Sequence, residues 1–429
     1  LLLTGAVVAA VCTLVAQPGA SAAARPQAFF MAEMDWCNCI LNSNQVSMCS
    51  ALAPSWLASY TGRRGKLYLT FSEGGLGNAM LHLRDNFALA LLLDRRPVII
   101  DPQGANGLDR MLELLPAPHG ALGAKFITEL PPTDKRSLRR IHTLDDLRTA
   151  LLTPPKASQP LYSHFGFWYL KKSVFRGFAS LAKDLAVRQP STARLVKSLL
   201  LLDPPPCWSS AFVRPVSRLR KVARTNLNGT CGAAHIRMCS ALNWTDTCKQ
   251  APQPERNAVE LLHCACSNRR KQSKRVFVAT DSVAVLESAT RALSFEHGQL
   301  DSSSTSSVSA KREQSGAIDV VSSSMGVPVH RYRTAERIRS QGKNLERILV
   351  DWATFAYSPR TVLLPSTFAA SAACMFAPHA EIRLYRPDPN DGLLECDRPF
   401  VASVAPGVHK GHPCAAAMGE YIAWKPWRR

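Results

Sequence analysis

His235 and Arg237 stand two residues apart at the end of an apolar run, "GAAHIRM". If the run is a strand, alternation puts both side chains on one face. At the carboxyl edge of a parallel sheet that face looks into a ligand cleft. A guanidinium there is a fixed fork for phosphate oxygens. The plainer alternative is a salt-bridged arginine beside a hydrogen-bonded core histidine. Four further stretches carry comparable chemistry. "GGLGNAM" places Gly77 and Asn78 where a strand turns into a helix, a place where backbone N–H groups meet phosphate or sugar oxygens. Met80 stands where a third glycine would complete G-x-G-x-x-G, and no Walker lysine follows, so an ordinary turn with Asn78 as helix cap is the competing account. "VFVATDS" ends in Asp281, either at a cleft mouth or capping the next helix. Asp351 interrupts the apolar helix pattern "RILVDWATFAY", where a carboxylate is costly unless paired. It could accept from the N1–H and N2–H2 edge of guanine, or pair with an arginine. "LLPSTFAASAA" sets Ser366, Thr367 and Phe368 at a strand-to-helix junction, able to bind a diphosphate or simply to cap the helix.

The elements that must position these residues alternate between strand and helix. "KLYLTFS" (66–72) reads as a strand, "AMLHLRDNFALALLLDR" as a helix and "PVIID" (97–101) as a second strand, the unit of a parallel sheet. A second series follows: strands "GAAHIRM", "RVFVATDS", "AIDVVSSS" and "TVLLP", with helices "VAVLESATRAL", "NLERILVDWATFAYS" and "STFAASAACMFA". Residues 102–230 contain helical stretches such as "LRTALL" and "ASLAKDLAV" broken by prolines. The expected organisation is a signal peptide or remnant membrane anchor over 1–25 and an irregular Cys-rich lead-in over 26–65. An N-terminal acceptor-side α/β domain follows over 66–230. A C-terminal nucleotide-sugar domain over 231–400 carries a Ser-rich surface insertion at 301–316, and 401–429 form a tail.

Composition fits a globular chain of 429 residues, 46% hydrophobic and 20% charged. Lys and Arg number 52 against 32 Asp and Glu, and the net charge of +20 favours anionic partners. No aromatic-rich nucleic-acid module accompanies the basic clusters, so no nucleic-acid partner is expected. Thirteen cysteines, with Cys12 inside the apolar N-terminal run and twelve beyond it, point to disulfides in a secretory chain. No pair has zinc-ribbon spacing. The sequons Asn228-Gly-Thr230 and Asn243-Trp-Thr245 agree with a lumenal location.

Taken in order, Gly-Gly-x-Gly-Asn, His-x-Arg, Ala-Thr-Asp, the Asp-bearing apolar helix and Ser-Thr-Phe resemble the GDP-fucose fucosyltransferase superfamily. That group includes protein O-fucosyltransferases and α-1,6- and α-1,2-fucosyltransferases. The resemblance spans roughly residues 66–377 and rests on short segments within it. It implies a GT-B-like α/β fold of two facing Rossmann-like domains with parallel sheets. It also implies GDP-fucose as donor substrate, no cofactor, a glycoprotein or glycan acceptor, and inverting, metal-independent transfer in the ER or Golgi lumen, with a possible type II anchor. By position, Arg237 would contact the diphosphate and serve catalysis, with His235 and Asp351 near guanine. Asp281 would lie near the nucleotide and Ser366, Thr367 and Phe368 along the diphosphate, while Gly77 and Asn78 would reach in from the N-terminal domain. Glu73 and Asp85 are the candidates for a general base. Met238, Cys239 and Ser240 follow Arg237 where several branches carry an x-Gly-Asp-like sequence or a second basic residue. That departure keeps open a non-catalytic lumenal glycan- or peptide-binding protein of the same fold. A third reading is an extracellular basic protein that binds sulfated glycans.

Overall fold

The computed structural model describes residues 35–70, 76–101, 108–116, 120–163, 172–200, 207–236, 275–280, 319–322, 343–363, 367–376 and 381–384. It also describes Leu262, Ala265, Cys266, Leu286 and Glu287. The expected segments 1–25, 301–316 and 401–429 lie outside these residues.

Helix α1 (35–42) and a 3-10 helix (Val46–Leu52) precede β1 (Lys66–Leu69), α2 (Leu76–Leu93) and β2 (Arg96–Ile100). The one-turn α3 (Leu108–Met111), β3 (Leu112–Leu114), β4 (Lys125–Ile127), α4 (Pro132–Ser137), β5 (Arg139–Ile141), α5 (Leu144–Leu152) and β6 (Leu161–Ser163) follow. Then come α6 (Lys172–Arg188), α7 (Pro190–Leu200), a 3-10 turn (Trp208–Ala211), β7 (Val213–Pro215) and α8 (Ser217–Leu227). The chain continues through β8 (Thr230–Ile236), β9 (Arg275–Thr280), β10 (Asp319–Val321), α9 (Lys343–Tyr357), β11 (Arg360–Leu363), α10 (Thr367–Phe376) and β12 (Glu381–Leu384).

These strands build two five-stranded sheets, ordered β4-β2-β1-β6-β5 and β10-β9-β8-β11-β12. Every pairing in both is parallel. The architecture is therefore α/β with two parallel sheets, a GT-B-like arrangement. Parallel strands covered on both faces read as continuous apolar runs, which is why β1, β2, β8 and β9 are legible as "KLYL", "RPVII", "TCGAAHI" and "RVFVAT". The two halves share one hydrophobic core. It runs from Trp36 and Trp56 through nearly the whole of α2 to α9 and α10, and α2 packs along α10.

The lead-in differs from its expected irregular form. Helix α1 and the loop after it are part of the core: Trp36, Cys37, Ile40, Cys49, Trp56 and Tyr60 are buried, and the Trp36 and Trp56 rings meet edge to face at 5.7 Å. Disulfides Cys37–Cys207 and Cys39–Cys49 pin the segment. Arg214 on β7 donates from Nη1 to the carbonyls of Ile40 and Ser43, and its Nε–H donates to Glu113 on β3. Glu113 also accepts from Arg220 at 2.7 Å. The antiparallel β3–β7 pair thus carries a charge cluster, two buried arginines on a half-buried glutamate, that holds the lead-in down. A third disulfide, Cys231–Cys266, links β8 to a residue ahead of β9. Among the described residues no helix is long and apolar enough to cross a membrane.

Candidate functional site

In the second sheet the chain leaves β8 toward β9 and β10, then returns to place β11 on the other side of β8. The boundary between β8 and β11 is a topological switch point, the place where α/β sheets bind ligands at the carboxyl ends of their strands. Small residues make this boundary tight. A Cβ on Gly232 would come within 2.9 Å of the Arg360 carbonyl. Register sets His235 opposite Leu363 of β11 and Ala279 of β9, one residue short of the end of β8.

The His235 side chain sits among aromatic rings. Its imidazole meets Phe355 of α9 edge to face at 5.8 Å and lies tilted against Phe368 of α10 at 5.3 Å. Phe355 in turn packs on Phe277 of β9. The structure thus brings His235 and Phe368, named separately from the sequence, into direct contact. Phe355 was missed. Its signal was available, since Phe355 falls four residues after Asp351 and so on the same face of α9.

Asp351 lies in a stretch of α9 that is buried from Arg347 through Ala356. The arginine partner anticipated as the plain alternative exists: Arg347 Nε lies 3.6 Å from Asp351 Oδ2, an i,i+4 ion pair. At that separation the contact is Coulombic rather than a hydrogen bond. Oδ1 is buried and has no hydrogen-bond partner among the described residues. Burial pushes the Asp351 carboxyl up to about 7, against the opposing pull of Arg347. Asp351 is therefore an acceptor held near its titration point, one helical turn from the ring that contacts His235.

In the first half, Gly77 and Asn78 occupy the first turn of α2. Asn78 Oδ1 is buried and has no hydrogen-bond partner among the described residues. Because α2 packs along α10, the Gly-Asn turn and Phe368 belong to the two helices that join the halves. Thr367 opens α10. Asp85 is 1% exposed, beside Arg84 at 3.8 Å, and Arg84 itself lies over the Trp208 ring at 4.9 Å. That sealed pair occupies a core position on α2 rather than an open one. Arg237, Asp281, Ser366 and Glu73 lie outside the described residues.

No family model matches the chain, and no curated protein matches it. Similar solved structures do exist. A mutant of FUT1 from Arabidopsis thaliana in complex with GDP is 13% identical, with 84% of this chain and 80% of that one covered, at a TM-score of 0.42. The α-1,6-fucosyltransferase NodZ soaked with GDP-fucose is 13% identical over 76% of this chain and 96% of its own, at 0.40. POFUT1 in complex with GDP is 10% identical over 76% and 99%, at 0.37.

Proposed function

We propose that the protein transfers fucose from GDP-fucose to a hydroxyl of a protein or glycan, with inversion and without a divalent metal. The observation that carries this reading is Asp351. It is a buried carboxyl with an unfilled acceptor oxygen, placed one turn from the His235–Phe355 contact at the switch point of the second sheet. Guanine offers a two-donor edge of the kind that oxygen lacks, and uracil does not. His235 and Phe368 would wall the nucleotide side of the same place. Arg237, Asp281, Ser366, Thr367 and the first N–H groups of α10 would hold the diphosphate, and Gly77 and Asn78 would approach from α2.

In the reaction the bond from the anomeric carbon to the β-phosphate oxygen breaks, and its electron pair leaves with GDP. The acceptor oxygen bonds to the opposite face of that carbon and loses its proton. Negative charge grows on the leaving phosphate, so a preorganised guanidinium at Arg237 and the helix N–H groups supply the largest stabilisation. Positioning of the acceptor supplies the rest. The disulfides support an oxidising compartment. The ER or Golgi lumen is the proposed location, with residues 1–25 as signal or anchor.

The test is a comparison of GDP with UDP by thermal shift and titration at pH 6 and pH 8. GDP binding should exceed UDP binding, and should weaken at pH 6, because the ionised carboxylate is the acceptor and a proton then competes for it. Asp351→Asn should bring GDP and UDP close together. Equal binding of both nucleotides by the unaltered protein removes Asp351 from the site. Turnover of GDP-fucose in excess EDTA then separates a metal-independent transferase from a protein that only binds the nucleotide.

A further inference from the structure

At the amino ends of β1 and β2 a small open cavity is lined by Arg64, Leu92, Arg95, Leu151, Gln189 and Thr192 among others. Arg95 is 2% exposed. Its Nη1 donates to the carbonyls of Gln159 and Lys66, and its Nη2 to those of Pro155 and Lys156. These are neutral acceptors. Among the described residues no carboxylate pairs with Arg95, and its Nε–H has no acceptor. Arg64 is the second guanidinium on the cavity. The nearest carboxylate, Asp94, is committed elsewhere: it accepts from the Thr61 and Gly62 backbone N–H groups and from the Thr61 hydroxyl, and lies 3.7 Å from Arg64. Thr192 belongs to the first turn of α7, which begins at Pro190 and contains no acidic residue there. N–H groups of a first turn lack intrahelical acceptors and carry partial positive charge. Burial, aided by Arg64, lowers the Arg95 pKa to about 10.

Two guanidinium groups and a helix amino terminus therefore line one open space, where the carboxylate of Asp94 pairs with Arg64 alone and already accepts three hydrogen bonds from Thr61 and Gly62. We propose that this cavity is a second binding site, independent of the transfer reading, for a tetrahedral oxyanion: a sulfate ester of a glycan or a free phosphate. A planar guanidinium whose Nη atoms are anchored on carbonyls presents its remaining N–H rigidly, and such preorganisation favours an anion over water. The strongly basic balance of the whole chain supplies long-range attraction for the same partners.

The full chain is titrated with inorganic sulfate, inorganic phosphate and a heparin-derived sulfated tetrasaccharide, with chloride at matched ionic strength as reference. Binding of at least one of the three should be saturable, and should fall at least tenfold in Arg64→Ala, an exposed change that the fold tolerates. Thr192→Asp places a carboxylate in the cavity and should abolish that binding with no fall in melting temperature. A tetrasaccharide that binds more tightly than inorganic sulfate and is lost in both variants identifies a sulfate ester. Inorganic phosphate lost in both variants while the tetrasaccharide is unaffected identifies a free anion. Sulfate stabilisation that never saturates and is equal in all three proteins is the general effect of an excluded salt, and overturns the site. Saturable binding that both variants retain overturns it too.

Discussion

Two buried charges, one in each half, are accommodated in opposite ways. Asp351 is set in the middle of α9, where helical neighbours use their own backbone groups internally and only side chains can answer it. One does, Arg347, and one carboxylate oxygen stays unfilled. Arg95 lies just past the end of α2, beside the irregular loop 153–160, and it donates to three carbonyls of that loop and to the Lys66 carbonyl at the start of β1. The first arrangement leaves a carboxyl close to neutrality, ready for a donor. The second binds a loop to a strand edge and leaves a positive charge without a counterion among the described residues. A buried charge is thus resolved by whatever its secondary structure leaves unused, and what remains unresolved is what the two proposed sites rest on.

The largest expected effect breaks the Arg95 arrangement. Arg95→Met should cost about 3–5 kcal/mol, because several buried carbonyls lose their donor together. Urea unfolding measures it, and a loss under about 1 kcal/mol would mean that water replaces the guanidinium. The Asp351 arrangement should show itself in pH dependence. The folded pKa is raised to about 7 from 3.8. The carboxyl's contribution is therefore fully present below the unfolded value and is lost as pH rises through 7. Relative to Asp351→Asn, the unaltered protein should lose on the order of a few kcal/mol between pH 4 and pH 8. Arg347→Met should move that loss to higher pH, since the opposing charge is gone. Denaturation midpoints of the three proteins across this range decide it, and parallel curves would mean that the carboxyl is hydrated.

A smaller effect sharpens the loop side of the comparison. Gly65 has φ +107, and a Cβ there would lie 2.4 Å from the Ala157 carbonyl and 2.8 Å from Arg95 Nη1. Gly65→Ala should cost about 2–3 kcal/mol from backbone strain and the displaced loop. It should weaken oxyanion binding while leaving the GDP–UDP difference unchanged. The smallest effect is on the helix side. Phe355→Leu keeps volume roughly but loses the ring contacts to His235 and Phe277, and should cost about 1 kcal/mol. Its mark would be a lower GDP affinity at unchanged oxyanion binding. The reverse outcome would separate Phe355 from the nucleotide site.

The sequence by itself determined β1, α2 and β2 and the strand and helix series of the second half, but not β4, β5 and β6, each three residues long. Strands buried on both faces must be apolar throughout, and α2, α9 and α10 carry the helical period beside them. Those series place His235 and Phe368 at the ends of their elements, and they make Asp351 conspicuous as a charge in an apolar helix. Only the tertiary structure decided what these residues touch. The His235 imidazole meets Phe355 and Phe368 because β8 and β11 are neighbours, a pairing across more than a hundred residues that no local pattern encodes. The lead-in looked irregular because its core residues, Trp36, Cys37, Ile40 and Trp56, follow no sustained period, yet they fill the space beside α2. The antiparallel pair of Leu112–Leu114 with Val213–Pro215 is three residues long on each side, too short for alternation to show. Arg95 sits in the run "DRRP" and reads there as one of many solvated arginines. Its burial depends on carbonyls some sixty residues away, and only folding brings those within reach.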